Sequence, residues 1–155
     1  MIDVFLSRPT WVPPHIDKHL NKFYSLLDEC GFDPHTIGVD VVPLSTPFEH
    51  VVELIRQCQC TIVLGFPQLN VTAGTLKGKD IEKRFSLPSE WHQVEAAISI
   101  MLNKPTLMML AKPVAARGIF ERGAAPVFVH DFYTAGPKWV ERMIPMLKSL
   151  KEAVG

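Results

Sequence analysis

The sequence predicts an α/β domain built on a five-stranded, mostly parallel sheet. Short runs rich in β-branched and aromatic residues alternate with segments that have helical spacing, which is the pattern of parallel strands joined by helices. Two runs, at 60–66 and 105–111, are apolar almost throughout, as is typical of central strands buried on both faces. With 155 residues, 47% of them hydrophobic and 21% charged, we expect residues 1–155 to form a single domain, alone or as a module of a longer protein.

The expected strands lie at 2–7, 36–42, 60–66, 105–111 and 127–132. The expected helices lie at 15–30, from Pro47 to about Gln57, from Pro88 onward, and at 137–154. Gly31 should end the first helix, Thr46 should cap the second with Pro47 at its first position, and Pro145 should kink or split the last. The polar, glycine-containing segments at 67–87 and 112–125 predict loops.

Charge and the length of the apolar runs argue against several classes of function. The formal net charge is zero, so no broad basic field indicates nucleic acid or an anionic membrane as a partner. Runs such as 105–111 are far too short to span a bilayer, and no basic region precedes the first strand as it would in a signal peptide. Cys30, Cys58 and Cys60 form no CxxC motif, so a cytoplasmic protein with reduced thiols is expected.

Several common catalytic motifs are missing from the sequence. Without GxGxxG or GxxxxGK[ST], a standard dinucleotide or nucleoside triphosphate loop is not supported. Ser7, Ser45 and Ser89 lack the nucleophile-elbow context of a serine hydrolase. His15 and His19 are four residues apart, as metal ligands on a helix can be, but no third ligand is identifiable. No metal site is therefore predicted, and a solvated helix face is expected for these two histidines.

The helix that begins near Pro88 carries a carboxylate where an apolar residue would be expected. Glu95 lies at the edge of an apolar stripe, and Gln93 points away from it toward solvent; the stripe consists of Trp91, Val94, Ile98, Met101 and Leu102. A charge there is costly unless it is paired, hydrogen-bonded or open to a cleft. Glu95 could be a helix carboxylate paired with Arg or Lys, or it could stabilise or attack the ribosyl cation that forms when an N-glycosidic bond breaks. Periodicity alone leaves both interpretations open.

Three features of the chain resemble the Toll/interleukin-1 receptor (TIR) domain. The opening Asp-Val-Phe-Leu-Ser at 3–7 is similar to that family's first strand, and the loop with Pro43 follows the second expected strand, where the family has its BB loop. Most specifically, Trp91 to Glu95 reproduces the family's W-x-x-x-E at the start of a helix. The resemblance implies a flavodoxin-like three-layer fold in which Glu95 is the catalytic residue of NAD cleavage and Trp91 shapes the pocket.

The resemblance also implies which residues contact the ligand. Position in the fold indicates Phe5, Ser7, Arg8, Pro43, Ser45, Gln68 and Trp91. Arg8 could hold a diphosphate bidentately, and an ordinary surface ion pair would suit it equally. Pro43 and Ser45 would touch the ligand or mediate self-assembly. NAD or a related nucleotide would be the substrate, no cofactor is implied, and a homo-oligomer would form through TIR–TIR contacts.

Other features resemble the bacterial TIR-like proteins that are related to nucleoside 2-deoxyribosyltransferases, namely the insertion at 67–87 and the Gly-Ile-Phe at 118–120. In the related deoxyribosyltransferase fold, a Glu in a context like Glu95-Ala96-Ala97-Ile98 is the nucleophile. The first hypothesis is an NAD+ glycohydrolase or cyclase of the bacterial TIR type, acting in antiviral defence or cell-death signalling. The alternatives are a deoxyribosyltransferase-like N-glycosidase and a non-catalytic TIR adaptor that acts by homotypic assembly.

Overall fold

Five parallel strands form the centre of the protein in the computed structural model, which describes residues 1–42, 44–134 and 136–155. The elements in chain order are β1 (Ile2–Ser7), α1 (Pro14–Glu29), β2 (Phe32–His35), α2 (Pro47–Gln57), β3 (Cys60–Gly65), β4 (Leu69–Val71), β5 (Thr75–Leu76), β6 (Lys79–Asp80), β7 (Phe85–Leu87), α3 (Glu90–Met101), β8 (Thr106–Leu110), a 3₁₀ turn (Gly118–Phe120), β9 (Val129–Asp131) and α4 (Trp139–Val154). The main sheet has the order β2-β1-β3-β8-β9, and all its pairs are parallel. The predicted α/β fold with a five-stranded sheet is confirmed.

Helices cover both faces of this sheet and give it three layers. Val4 and Leu6 of β1 pack in one core cluster with residues of α1 and α4, such as Phe23 and Leu147. Phe5, between them, faces the opposite side and packs against α2. All six residues of β3 are buried, because a central strand with helices on both faces has no solvent side. No helix in the described residues is long and apolar enough to cross a membrane.

The expected helix boundaries are close to those observed. Gly31 follows α1 with φ of 82°, a left-handed conformation that glycine adopts at little cost. Thr46 precedes α2 as expected, but its hydroxyl bonds the Glu49 carboxylate at 2.9 Å and makes no side-chain cap to the helix backbone. Helix α4 continues through Pro145, so the predicted split of this helix is wrong.

The predicted second strand is misplaced. β2 lies at Phe32–His35, whereas residues 36–41 form a turn that begins at Thr36. Because β2 is an edge strand paired only with β1, it tolerates Pro34, which could not donate to a second neighbour. The turn is held by the Asp40 carboxylate, which accepts the Thr36 N–H at 2.6 Å, and by the Thr36 hydroxyl, which donates to the Leu6 carbonyl at 2.9 Å.

The segment at 67–87, predicted to be a loop, is a pair of antiparallel ribbons. β4 pairs with β7 at its base, and β5 pairs with β6 at its tip. Lys77 and Gly78 join β5 to β6 with φ of 52° and 78°, as in a two-residue type I′ turn. The base of the ribbon contacts the segment at 112–125, where the Ala115 N–H donates to the Ser86 carbonyl at 2.9 Å. We call 67–87 and 112–125 together the cap.

Candidate active site

A pocket of about 380 Å³ opens where β1 ends and α3 begins. β1 pairs with β2 on one side and β3 on the other, so the strand order reverses here, which is where parallel α/β sheets bind ligands. The pocket is lined by Arg8, Pro9, Thr10, Ile37, Pro47, Val51, Gln68, Ser89, Trp91, His92 and Glu95. Of these, Arg8, Gln68, Trp91 and Glu95 are ligand or catalytic residues predicted from the sequence, and the fold brings them together.

Helix α3 directs Glu95 toward the end of β1. Its first turn is capped by Ser89, whose hydroxyl accepts the Trp91 N–H at 3.2 Å. The buried face of α3 consists of His92, Ala96 and Ser99. Ala96 packs with Val63 and Met108 of the sheet, so a small side chain brings this helix face close to β3 and β8.

The predicted apolar stripe of α3 is therefore only partly correct. Ile98 and Leu102 are half-buried against the cluster around Phe5. Trp91, Val94 and Met101 are exposed, with Met101 at 79%. The buried residues are small or polar, which is why hydrophobic periodicity identified the wrong face. Glu95 adjoins the true buried face, three residues after His92 and four before Ser99.

The Glu95 carboxylate is partly buried and lies beside one hydroxyl. Ser7, 1% exposed at the end of β1, donates its Oγ–H to Glu95 Oε2. Burial raises the pKa of Glu95 to about 7, and the hydrogen bond from Ser7 opposes this rise. Within the described residues, the ion pairs are those of His35 with Asp3 and Asp33, so the interpretation of Glu95 as paired with Arg or Lys is wrong. A carboxyl that titrates near neutral pH in a pocket is suited to catalysis.

Sequence reasoning did not identify His92 as part of the site. Its side chain is 3% exposed and lines the pocket, and Nδ1 has no hydrogen-bond partner in the described part of the chain. Burial lowers the pKa of His92 to about 4, partly offset by a hydrogen bond to the Arg8 backbone. The imidazole is therefore neutral at pH 7. Its spacing of three residues before Glu95 could have indicated that it shares the same helix face.

Three predicted residues form the rim of the pocket. The Arg8 guanidinium donates to the Pro9 carbonyl at 2.9 Å and lies 6.0 Å from the centre of the Tyr24 ring, and it makes no ion pair with a described carboxylate. The Gln68 amide donates to the backbone carbonyls of Trp11 and Pro67, at 3.1 and 2.8 Å. Trp91 is 44% exposed, so its indole is available to a ligand at the pocket mouth.

The remaining predicted contacts lie elsewhere. Phe5 is 1% exposed and packs in the core against Val51 and Ile55, so it does not line the pocket. Ser7 does not line the pocket, and its connection to the site is the hydrogen bond that it donates to Glu95. Ser45 is exposed outside the lining, and Pro43 lies outside the described residues. The prediction that Gln93 points to solvent is wrong, because its Oε1 accepts the Ile119 N–H at 3.3 Å.

The structure also places the candidate metal ligands. His19 stacks on Tyr133 with ring centroids 4.2 Å apart, so the expected solvated face is partly covered. Asp3, Asp33 and His35 bring ligand atoms within 4.8 Å of one another at the surface of β1 and β2. His35 Nε2 lies 3.0 Å from an Asp3 oxygen. This direct contact between the two side chains explains why the three residues lie together without a metal ion.

Comparison with solved structures finds the same fold in an enzyme. A CMP N-glycosidase from Clostridium botulinum superimposes with a TM-score of 0.55 over 93% of this chain and 98% of its own, at 12% sequence identity. No family model and no curated protein matches the sequence. The likeness shows a shared fold, and no family match supports the TIR resemblance.

Proposed function

We propose that this protein is an N-glycosidase that hydrolyses the bond between a base and the ribose of a nucleotide. One observation carries the proposal: Glu95 is a partly buried carboxylate in a ligand-sized pocket, hydrogen-bonded by Ser7 and without a cationic partner in the described chain. An unpaired charge in such a place costs stability, which makes a carboxylate that lies there a candidate for acting on a ligand. The fold shared with a CMP N-glycosidase supports the same reaction class.

The reaction follows from the position of the carboxylate. With the ribose C1′ next to Glu95, the C1′–N bond breaks and its electron pair leaves with the base. The other Glu95 oxygen, not held by Ser7, stabilises or captures the positive C1′. Water then adds its hydroxyl to C1′, displacing the Glu95 oxygen if a bond to it has formed, and the remaining proton of the water is taken up by the released base. The products are a ribose phosphate and the free base.

The rim of the pocket favours a phosphorylated substrate. Arg8 has a guanidinium free of carboxylate partners among the described residues, and a guanidinium suits a phosphate better than any other side chain does. A volume of about 380 Å³ lies near the lower end of the range for ligand pockets, roughly 300–1,000 Å³. A mononucleotide is of matching size, and a dinucleotide would extend out of the pocket past Trp91.

NAD+ cleavage is a second candidate, favoured by the absence of a second acid from the pocket lining. Glu95 is the only carboxyl residue there, and His92 is neutral at pH 7 because its pKa is lowered to about 4. A neutral base needs a proton or hydrogen bonds to leave, whereas the nicotinamide of NAD+ leaves uncharged without one. We therefore propose two substrate classes that share the chemistry at C1′ and differ in the leaving group.

Product analysis with a panel of substrates tests the proposal. The purified protein would be incubated with CMP, dCMP, cytidine and NAD+, and the released base quantified by chromatography. We expect base release from CMP and little from cytidine, because cytidine offers nothing to Arg8. Nicotinamide release alone would select the second candidate. No release from any substrate, at low or high protein concentration, would contradict both candidates and favour the adaptor; specific activity that rises with concentration would support the expected self-association.

The pH dependence of turnover should report the environment of Glu95. Because burial raises its pKa to about 7 and the reaction needs the ionised form, activity should rise with pH through about 7. Below that midpoint it should fall about tenfold per pH unit, as for a single ionising group. Ser7→Ala removes the hydrogen bond that lowers this pKa, so the midpoint should move to higher pH. The measurement is kcat/KM against pH for both proteins, because kcat/KM reports the pKa of the free enzyme.

Ser99→Ala is the matched control for that experiment. Ser99 is also a buried serine beside Glu95, but its hydroxyl donates to the Glu95 backbone carbonyl at 2.9 Å and not to the carboxylate. The midpoint of the pH profile of Ser99→Ala should therefore stay at the wild-type value. Equal midpoints in the wild type and Ser7→Ala would contradict the assigned role of Ser7, and activity that falls as pH rises would indicate that Glu95 acts as an acid instead.

A further inference from the structure

The cap contains a second cavity that the proposed reaction does not use. It has a volume of about 560 Å³ and lies between the ribbon tip and the segment that carries the 3₁₀ turn. Its lining consists of Leu76, Lys77, Lys79, Ala116, Arg117, Gly118 and Glu121. None of these residues lines the Glu95 pocket, so the two cavities are separate sites.

The lining of this cavity is cationic. Lys77, Lys79 and Arg117 face a single acid, Glu121, and none of the three cations makes an ion pair with a described carboxylate. The cap as a whole has seven Lys and Arg against three Asp and Glu, a formal charge of +4 in a chain whose net charge is zero. Positive charge is thus concentrated in the cap, where it raises the local concentration of anions.

The cationic groups are presented by a defined backbone. The type I′ turn at Lys77 and Gly78 fixes the ribbon tip. Opposite it, Gly118 has φ of 60°, and a Cβ there would collide with the amide of Gln93, which accepts the Ile119 N–H. The Arg117 guanidinium lies 5.9 Å from the centre of the Phe85 ring, which orients it across the two segments of the cap.

We propose that this cavity binds the phosphate groups of a small phosphorylated ligand of nucleotide size. The volume lies within the usual range for small-molecule sites, roughly 300–1,000 Å³. Two lysines supply point charges for phosphate oxygens, and Arg117 supplies a planar fork that can bind two of them at once. Glu121 opposes the anion at one side of the cavity and so limits the strength of binding.

Titration with pyrophosphate, followed by ¹H–¹⁵N NMR at constant ionic strength, tests this site. Amide shifts should concentrate at 76–79 and 116–121. Lys77→Asn with Lys79→Gln should weaken binding about tenfold, since two charge-assisted contacts are lost; Asn is chosen because it tolerates the positive φ of Lys77. Glu121→Gln should tighten binding about threefold, because it removes the one acid of the described lining. Both changes would be compared with Lys83→Gln plus Arg84→Gln.

Lys83 and Arg84 are the control because they lie on the same ribbon but outside the lining. The Lys83→Gln plus Arg84→Gln variant loses the same formal charge as the Lys77 and Lys79 variant. If direct contact decides binding and general charge does not, its dissociation constant should change by less than about twofold. Equal weakening in both double variants, shifts confined to Arg8 and Ser89, or no binding would overturn the proposal. A second titration with ADP shows which part of the ligand the cavity binds. If ADP and pyrophosphate bind with equal affinity, the cavity binds the phosphate groups alone. If ADP binds more tightly, the nucleoside also enters the cavity.

Discussion

Glu95→Gln is expected to lower kcat for base release by about a thousandfold. Gln is close to Glu in shape, so the pocket keeps its form, but a neutral amide can neither stabilise a developing ribosyl cation nor capture it. Ser7 loses its carboxylate acceptor at the same time. KM should change little, because the binding contacts at Arg8 and Trp91 remain. The measurement is steady-state kinetics with whichever substrate the wild type cleaves.

Glu90→Gln and thermal unfolding separate catalysis from folding in that experiment. Glu90 is also a carboxylate of α3, exposed and outside the pocket, so its amide variant should keep wild-type kcat. Glu95 has a higher pKa in the folded protein than in the unfolded chain, so the unfolded chain loses this proton at lower pH. The stability of the fold therefore falls as pH rises from the ordinary pKa of a glutamate to about 7, and the full loss is present above pH 7. Glu95→Gln should therefore unfold at a higher temperature than the wild type at pH 8. Turnover that persists in Glu95→Gln would rule out the mechanism.

Phe132→Ala is expected to reduce the free energy of unfolding by about 3–5 kcal/mol, the range for removing a fully buried aromatic side chain. Phe132 follows β9 and is completely buried. Its ring centroid lies 4.8 Å from that of Phe66, 5.5 Å from that of Trp139 and 5.6 Å from that of Phe23. Phe66 directly follows β3, Trp139 belongs to α4 and Phe23 to α1, so the cavity left by the substitution would loosen contacts between the sheet and two helices. Chemical denaturation measures the change.

Phe128→Ala is the matched control for this stability effect. Phe128 lies four residues earlier in the same segment but is 85% exposed, so truncating it removes few contacts. Its free energy of unfolding should remain within about 0.5 kcal/mol of the wild type. A loss of less than about 1 kcal/mol in Phe132→Ala would show that the aromatic cluster collapses around the gap and does not determine stability.

The central strands could be predicted from the sequence because burial on both faces leaves a local signature. β3 is apolar at nearly every position, and nothing outside that run is needed to identify it. β2 could not be located in this way. Its Pro34 argues against a strand unless its position at the sheet edge is known, and that position depends on pairing with β1, some thirty residues earlier.

Glu95 was expected at a cleft and lines the pocket, although the face of its helix was assigned incorrectly. The W-x-x-x-E spacing singles out the residue, whereas the orientation of α3 depends on the close approach of Ala96 to Val63 and Met108. Small and polar residues carry little hydrophobic signal, so His92 and Ser99 could not be recognised as buried. The contact between Ser7 and Glu95 was likewise invisible in the sequence, because it requires knowing that α3 crosses the end of β1.

The hydrogen bond between Ser7 and Glu95 joins residues that are 88 positions apart in the chain. It can form only after β1 has paired beside β3 and α3 has docked on the sheet, so the site is among the last features to become complete. The proposed activity would therefore be a sensitive reporter of refolding. During recovery from denaturant, turnover should reappear no earlier than the burial of Trp139 detected by fluorescence, even if helix signals return first.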